Sequence, residues 1–284
     1  MPAKRGDRTA SSRTARARSI RHRGRTGRSL LHFFFAAIAV ALPSATRPEP
    51  ASALDLDRYA RLLARTTRTT DRLAGTEVDY AALVESPELD ALVRQLEASR
   101  PSGLDRTGRI AFWIDAYNLL TLDLVRKHWP IDGIKDIGSF FFPVWKRDLV
   151  TIEGRSLSLD AIEHGILRPL GEPRIHAALV CASKSCPALR RAPYRPESLD
   201  EALDDAMRRF LADPRKGLAI DRAAGVIRVS KIFDWFEADF AAAGGVRAML
   251  ARHAPAREAE WLRGPGREAT IRFFDYDWSL NGLE

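Results

Sequence analysis

"IAFWIDAYNLLTLDLV", residues 110–125, decides how this chain folds. Its apolar side chains fall on every side of a helical wheel, and a helix that is apolar nearly all round is buried. The pattern predicts a helix over about 106–128. His128-Trp129-Pro130 ends it, because the residue before proline is pushed out of the helical region. Three polar residues interrupt the apolar surface. Asp115, Asn118 and Thr121 stand at i, i+3 and i+6 and trace a drifting polar line. A buried polar group without a partner costs about 1–3 kcal/mol, so these groups either pair inside the fold or line a cavity. Asp115 and Asn118 are therefore candidate substrate-binding residues, with a satisfied core network as the alternative.

Around this helix the remaining elements are short and mixed. Residues 55–72 read as a helix. "SPELDALVRQLEAS" opens another, with Ser86 as cap and Pro87 at the first helical position. "DLVTIEGRSLSL", residues 148–159, reads as two short strands about Glu153-Gly154. Ser158 caps a helix over about 159–168, and Ile175–Cys181 is an apolar, strand-like run. "SLDE", Ser198–Glu201, is a capping box for a helix to about Leu211. "LAIDRAAGVIRVS" is a hairpin, helices are expected at about 231–241, 245–252 and 256–262, and "ATIRFFDYDWSLN" closes with a strand and a tail. The expected class is α+β: a helix-rich single domain around a small antiparallel or mixed sheet.

The formal net charge of +8 suggests a polyanion partner until it is located. Residues 1–53 hold 11 basic and 2 acidic residues, which leaves 34 and 35 in the rest. The globular part is near neutral, so no nucleic-acid partner is expected. The basic segment precedes "LLHFFFAAIAVAL", residues 30–42, and an Ala51-Ser52-Ala53 site. That order is a secretory leader, too short in its apolar run to span a bilayer with ease. Residues 1–53 are expected to be a leader and 54–284 one globular domain. Cleavage is expected after Ala53 or after Ala45. The protein is expected to be exported to the periplasm or cell exterior, with membrane contact only through an uncleaved leader.

"RIHAALVCASKSCPALR", residues 174–190, holds both cysteines. In a strand, His176 and Cys181 would lie on opposite faces and roughly 16 Å apart. The spacing H-x11-H-x4-C-x4-C fits no usual zinc pattern, so no metal is expected. Cys181 ends the apolar run and reads as a small buried hydrophobe. Cys186 follows Ser-Lys-Ser and precedes Pro187, which could open a short helix; Lys184 and helix dipoles would then favour its thiolate. A Cys181–Cys186 bridge competes with that reading. Its six-residue loop is worth roughly 2 kcal/mol by chain entropy. His164, beside Glu163, and His176 are both candidate bases for Cys186.

Several stretches together resemble the domain of unknown function 547 family. They are "AFWIDAYNLLTLDLV" (111–125), "IKDIG" (134–138), "SLDAIEHGILR" (158–168), 174–190, "SKIFDWFEADF" (230–240) and "YDWSLN" (276–281), a core of about 106–281. The resemblance implies asparagine where this chain has Asp115. It implies no chemistry.

Two readings follow. One is a thiol-dependent hydrolase or acyl-transfer enzyme with Cys186 as nucleophile, His164 or His176 as base, and Asp115, Asn118 and Lys184 around the substrate. The other is a non-catalytic binding or scaffold domain with a structural Cys181–Cys186 bridge. The ligand in either case is an unidentified small molecule or peptide. Absence of a Gly-rich phosphate loop, a GxSxG elbow and an HExxH helix leaves no cofactor expected.

Overall fold

The computed structural model describes residues 54–139 and 142–283. The expected leader lies outside them. The central helix runs Arg106–Arg126, capped by the Asp105 carboxylate accepting from Gly108 N at 2.7 Å. Every residue from Ile110 to Arg126 is buried. Two charged groups at its C-terminal end are buried because they pair. The Arg126 guanidinium donates to Asp123 at 2.7 Å and also bonds Asp90.

Helices Leu56–Thr66, Tyr80–Leu83 and Pro87–Ala98 pack on one another and, through the last two, on the central helix. The first is shorter than the expected 55–72. Thr66 and Thr67 turn their hydroxyls back onto the carbonyls of Leu62 and Leu63, at 2.8 and 2.5 Å. The chain then becomes the strand Thr67–Thr69, antiparallel to Thr76–Val78. β-branched threonines favour that change.

A second hairpin, Val150–Ile152 with Arg155–Leu157, turns about Glu153-Gly154 as expected. The three-stranded sheet pairs Leu218–Asp221 antiparallel with Val226–Val229, and the latter parallel with Thr270–Phe273. With its helices and these small sheets, the domain is α+β, as the sequence indicates.

Two hydrophobic cores result. The first surrounds the central helix. The second joins Phe210, Ile227, Phe233, Phe240 and Leu250 around the three-stranded sheet. The C-terminal tail docks by backbone bonds: Asn281 N to Ala182 O at 2.9 Å, Lys184 N to Ser279 O at 2.8 Å, and Leu283 N to Val78 O at 2.9 Å.

The run expected to be a strand at 175–181 is not one. Pro173–Ala177 is a 3-10 helix, started by Pro173, with the Glu172 side chain accepting from Arg174 N. Among the described residues, no strand lies beside residues 178–180. Asn118 takes that place instead. Its amide donates to Ala178 O at 3.0 Å and its carbonyl oxygen accepts from Val180 N at 2.9 Å.

Candidate functional site

A cavity of about 190 Å³ opens between the two cores. Tyr117, Leu179, Cys181 and Cys186 line it from the first core; Ile232, Phe236 and Tyr276 line it from the second. Trp145, Trp235 and Trp278 add aromatic faces, and Asp160 and Glu163 add carboxylates. Trp235 is 46% exposed and stacks on Trp278 at 5.7 Å.

Glu163 and His164 reach this wall because their helix changes pitch. Leu159–Ile162 is α-helical, Glu163–Leu167 is a π-helical turn, and Arg168–Leu170 is 3-10. Single π turns re-aim side chains and recur at functional sites.

From this turn a polar chain crosses the cavity floor. The Tyr117 phenol faces the Glu163 carboxylate. Glu163 Oε1 lies 3.7 Å from His176 Nδ1, and His176 Nε2 donates to Asp239 Oδ2 at 2.8 Å. Arg168 grips both Asp239 oxygens, at 2.6 and 2.8 Å, and donates to His164 Nδ1 at 2.7 Å. The His176 side chain is 1% exposed and stacks on Phe236 at 3.8 Å. The Arg168 guanidinium, with His176, holds the Asp239 carboxyl down at about 2. Burial, then the Glu163 charge, pushes the Tyr117 phenol well up, so it stays a donor.

The two cysteines are joined in a disulfide, with their Cα atoms 6.2 Å apart. Their exposures are the reverse of the sequence expectation. Cys186 is 3% exposed, whereas Cys181 is half-buried. No helix begins at Pro187, so no helix dipole acts on Cys186. What does face Cys186 Sγ is the Cys181 backbone N–H at 3.0 Å and the Tyr276 hydroxyl at 3.2 Å. Between the cysteines, Ala182 holds φ 61°, a left-handed geometry that strains a residue with a Cβ.

The other candidates separate. His164 and His176 share the cavity with both cysteines. The 16 Å separation assumed for a strand does not apply once the run coils. Asp115 and Asn118 lie within the first core, 1% and 2% exposed, and are not among the cavity-lining residues. Asp115 accepts from Tyr194 N through both oxygens, at 3.2 and 3.0 Å, and burial raises its carboxyl well above the usual range. Lys184 is half-buried and does not line the cavity. Its carbonyl, with those of Cys186 and Ala74, accepts from the buried ammonium of Lys216, at 3.1, 2.6 and 2.9 Å.

Asp239, Tyr276, Trp235 and Phe236 escaped the residue-by-residue reading. The signal available was their place in "SKIFDWFEADF" and "YDWSLN", two of the stretches carrying the family resemblance. No group of three or more His, Cys, Asp or Glu side chains placed to hold a metal ion occurs among the described residues.

Fold and site together define an α+β domain with an aromatic-walled, disulfide-edged cleft. Residues 101–211 match the family described as "Protein of unknown function, DUF547", the family that the motifs resemble. The matched segment carries the central helix, His164, His176 and both cysteines; the cavity wall from Ile232 to Trp278 lies beyond it. No curated protein and no solved structure matches the chain.

Proposed function

We propose that this is an exported ligand-binding domain whose cleft takes a small molecule or peptide, with the Cys181–Cys186 bridge as part of the cleft wall. One observation carries the reading. The sulfurs are bonded to each other, His176 lies between two carboxylates, and His164 Nδ1 accepts from Arg168. The open volume is bounded instead by Trp145, Trp235, Tyr276 and Trp278, with Asp160 and Glu163 beside them. Aromatic faces with carboxylates suit a ligand that has a flat apolar or sugar-like face and cationic or hydroxyl donors. The leader and the bridge both fit an oxidising compartment.

Titration of tryptophan fluorescence with a Lys-Ala-Lys tripeptide and with chitotriose tests this. A saturable response to either, lost in Trp235→Ala and weakened in Glu163→Gln, is expected. No response to either probe at millimolar concentration overturns the reading.

A second reading has its own support. Cys186 Sγ has two hydrogen-bond donors and shares the cavity with His164 and His176. Opened by reductant, the bridge would free Cys186 as the nucleophile of a hydrolase or acyl-transfer enzyme, with one histidine as base after local rearrangement. Ester turnover that appears only on reduction and disappears in Cys186→Ser would favour it over the binding domain.

A further inference from the structure

We propose that the Cys181–Cys186 bridge is a thiol–disulfide exchange centre of fixed polarity, in which an incoming thiol attacks Cys181 and Cys186 is the sulfur that leaves. This goes beyond the binding reading and requires only that the cleft admit a thiol-bearing small molecule or peptide.

Three features give the polarity. The first is access. Cys181 is half-buried and Cys186 is 3% exposed, while both edge the same cavity. An external thiolate therefore meets the Cys181 sulfur first. The second is stabilisation of the leaving group. Exchange is fastest when the departing sulfur is the better thiolate. Cys186 Sγ accepts the Cys181 backbone N–H at 3.0 Å and the Tyr276 hydroxyl at 3.2 Å; Cys181 Sγ lies farther from that hydroxyl, at 3.4 Å, and 3.1 Å from the Ser183 hydroxyl, which donates to Tyr276, so the backbone N–H is what sets Cys186 apart, and such a donor lowers a thiol's proton affinity. Burial holds the Tyr276 phenol above its ordinary range, so it remains a donor at any pH the protein meets. The third is anchoring. Lys216 Nζ donates to the Cys186 carbonyl at 2.6 Å and Cys186 N donates to Ser183 O at 3.1 Å, so the backbone of the leaving sulfur is held in place while the bridge opens.

The step balances as follows. An external thiolate forms a new S–S bond to Cys181. The Cys181–Cys186 bond breaks, and its electron pair leaves on Cys186, which takes a proton from water. A second external thiolate then attacks the external sulfur and releases Cys181. Two external thiols are oxidised to one disulfide, and the protein bridge is reduced to two thiols.

The test uses the oxidised wild-type protein and glutathione. Short exposure, acid quench, alkylation and peptide mapping should place glutathione on Cys181 and the alkyl group on Cys186. Glutathione on Cys186, or on both equally, overturns the proposal, as does a bridge that is neither adducted nor reduced. Where reduction outruns the trap, reduced Cys186→Ser and Cys181→Ser are each treated with oxidised glutathione. Faster adduct formation at Cys181 supports the assignment, and faster adduct formation at Cys186 overturns it. Tyr276→Phe, with its melting temperature checked, should slow bridge opening by about fivefold, the loss of one hydrogen bond. An unchanged rate in folded Tyr276→Phe removes that donor from the mechanism and overturns its share. The exchange assay reads sulfur adducts by mass and the ligand titration reads fluorescence, so a failed ligand titration and a failed exchange assay are separate results.

Discussion

His176 Nε2 donates to Asp239 Oδ2 at 2.8 Å across 63 residues of chain, and that bond ties the two cores together beneath the cleft. Asp239 also holds Arg168 through both oxygens. Asp239→Asn removes the charge that both partners face. The site is partly exposed, so the loss should be roughly 2 kcal/mol, below the range for a fully buried pair. The carboxyl is depressed to about 2 from 3.8. Its contribution is therefore complete above the unfolded value and is lost as pH falls from about 4 to 2. Urea unfolding across that window should show a flatter pH dependence for the variant than for wild type. Parallel curves would mean that Asp239 is not coupled to Arg168 and His176.

Asp115 behaves in the opposite sense. Burial raises its folded pKa well above 3.8, so the folded state holds the proton more tightly and stability falls as pH rises through that range. Asp115→Asn should be more stable than wild type at pH 7, and the gap should narrow on acidification. Equal stability at pH 7 and pH 4 would contradict this.

Removing the hydrogen-bonding group altogether is expected to be damaging. Asp115→Leu leaves Tyr194 N unpaired, and Asn118→Leu leaves Ala178 O and Val180 N unpaired. Each orphaned group costs about 1–3 kcal/mol. Both variants should melt well below wild type in a calorimetric scan. Asn118→Leu should also perturb the Cys181 segment, read as faster opening of the bridge by reductant.

Lys216 gives an alkaline signature. Burial pulls its ammonium down from 10.5 to about 8, despite the attraction of Asp213. Between those values the unfolded chain binds the extra proton, so this group makes stability rise with pH. The wild type minus Lys216→Met difference, measured from pH 7.5 to 10, should carry that slope. Lys216→Met should also be weaker throughout, because the carbonyls of Ala74, Lys184 and Cys186 lose their donor. A difference that stays constant with pH would refute the assigned titration.

Opening the bridge with a strong reductant should destabilise the protein by roughly 2 kcal/mol, the chain-entropy value for a short loop. Matched denaturation curves of reduced and oxidised protein check it. Loss of folding on reduction would make the bridge far more than a short staple.

The amino-acid sequence by itself determined the central helix, its burial and the mixed class. Those follow from local rules: an apolar surface on all sides needs a shell, Asp105 and Ser86 cap, and Gly154 and Gly225 turn at positive φ. Tertiary structure alone decided the site. The apolar run before Cys181 has the composition of a strand, but a strand needs a neighbouring backbone, and here the side chain of Asn118 supplies the hydrogen bonds instead. The chain coils, and His176 comes into one cavity with Cys181 and Cys186. The cavity itself joins Tyr117, Glu163, Phe236 and Tyr276, residues brought together only by docking the second core and the tail. Exposure of the two sulfurs was settled by the same docking, because burial depends on what packs over a residue, and local composition does not carry that information.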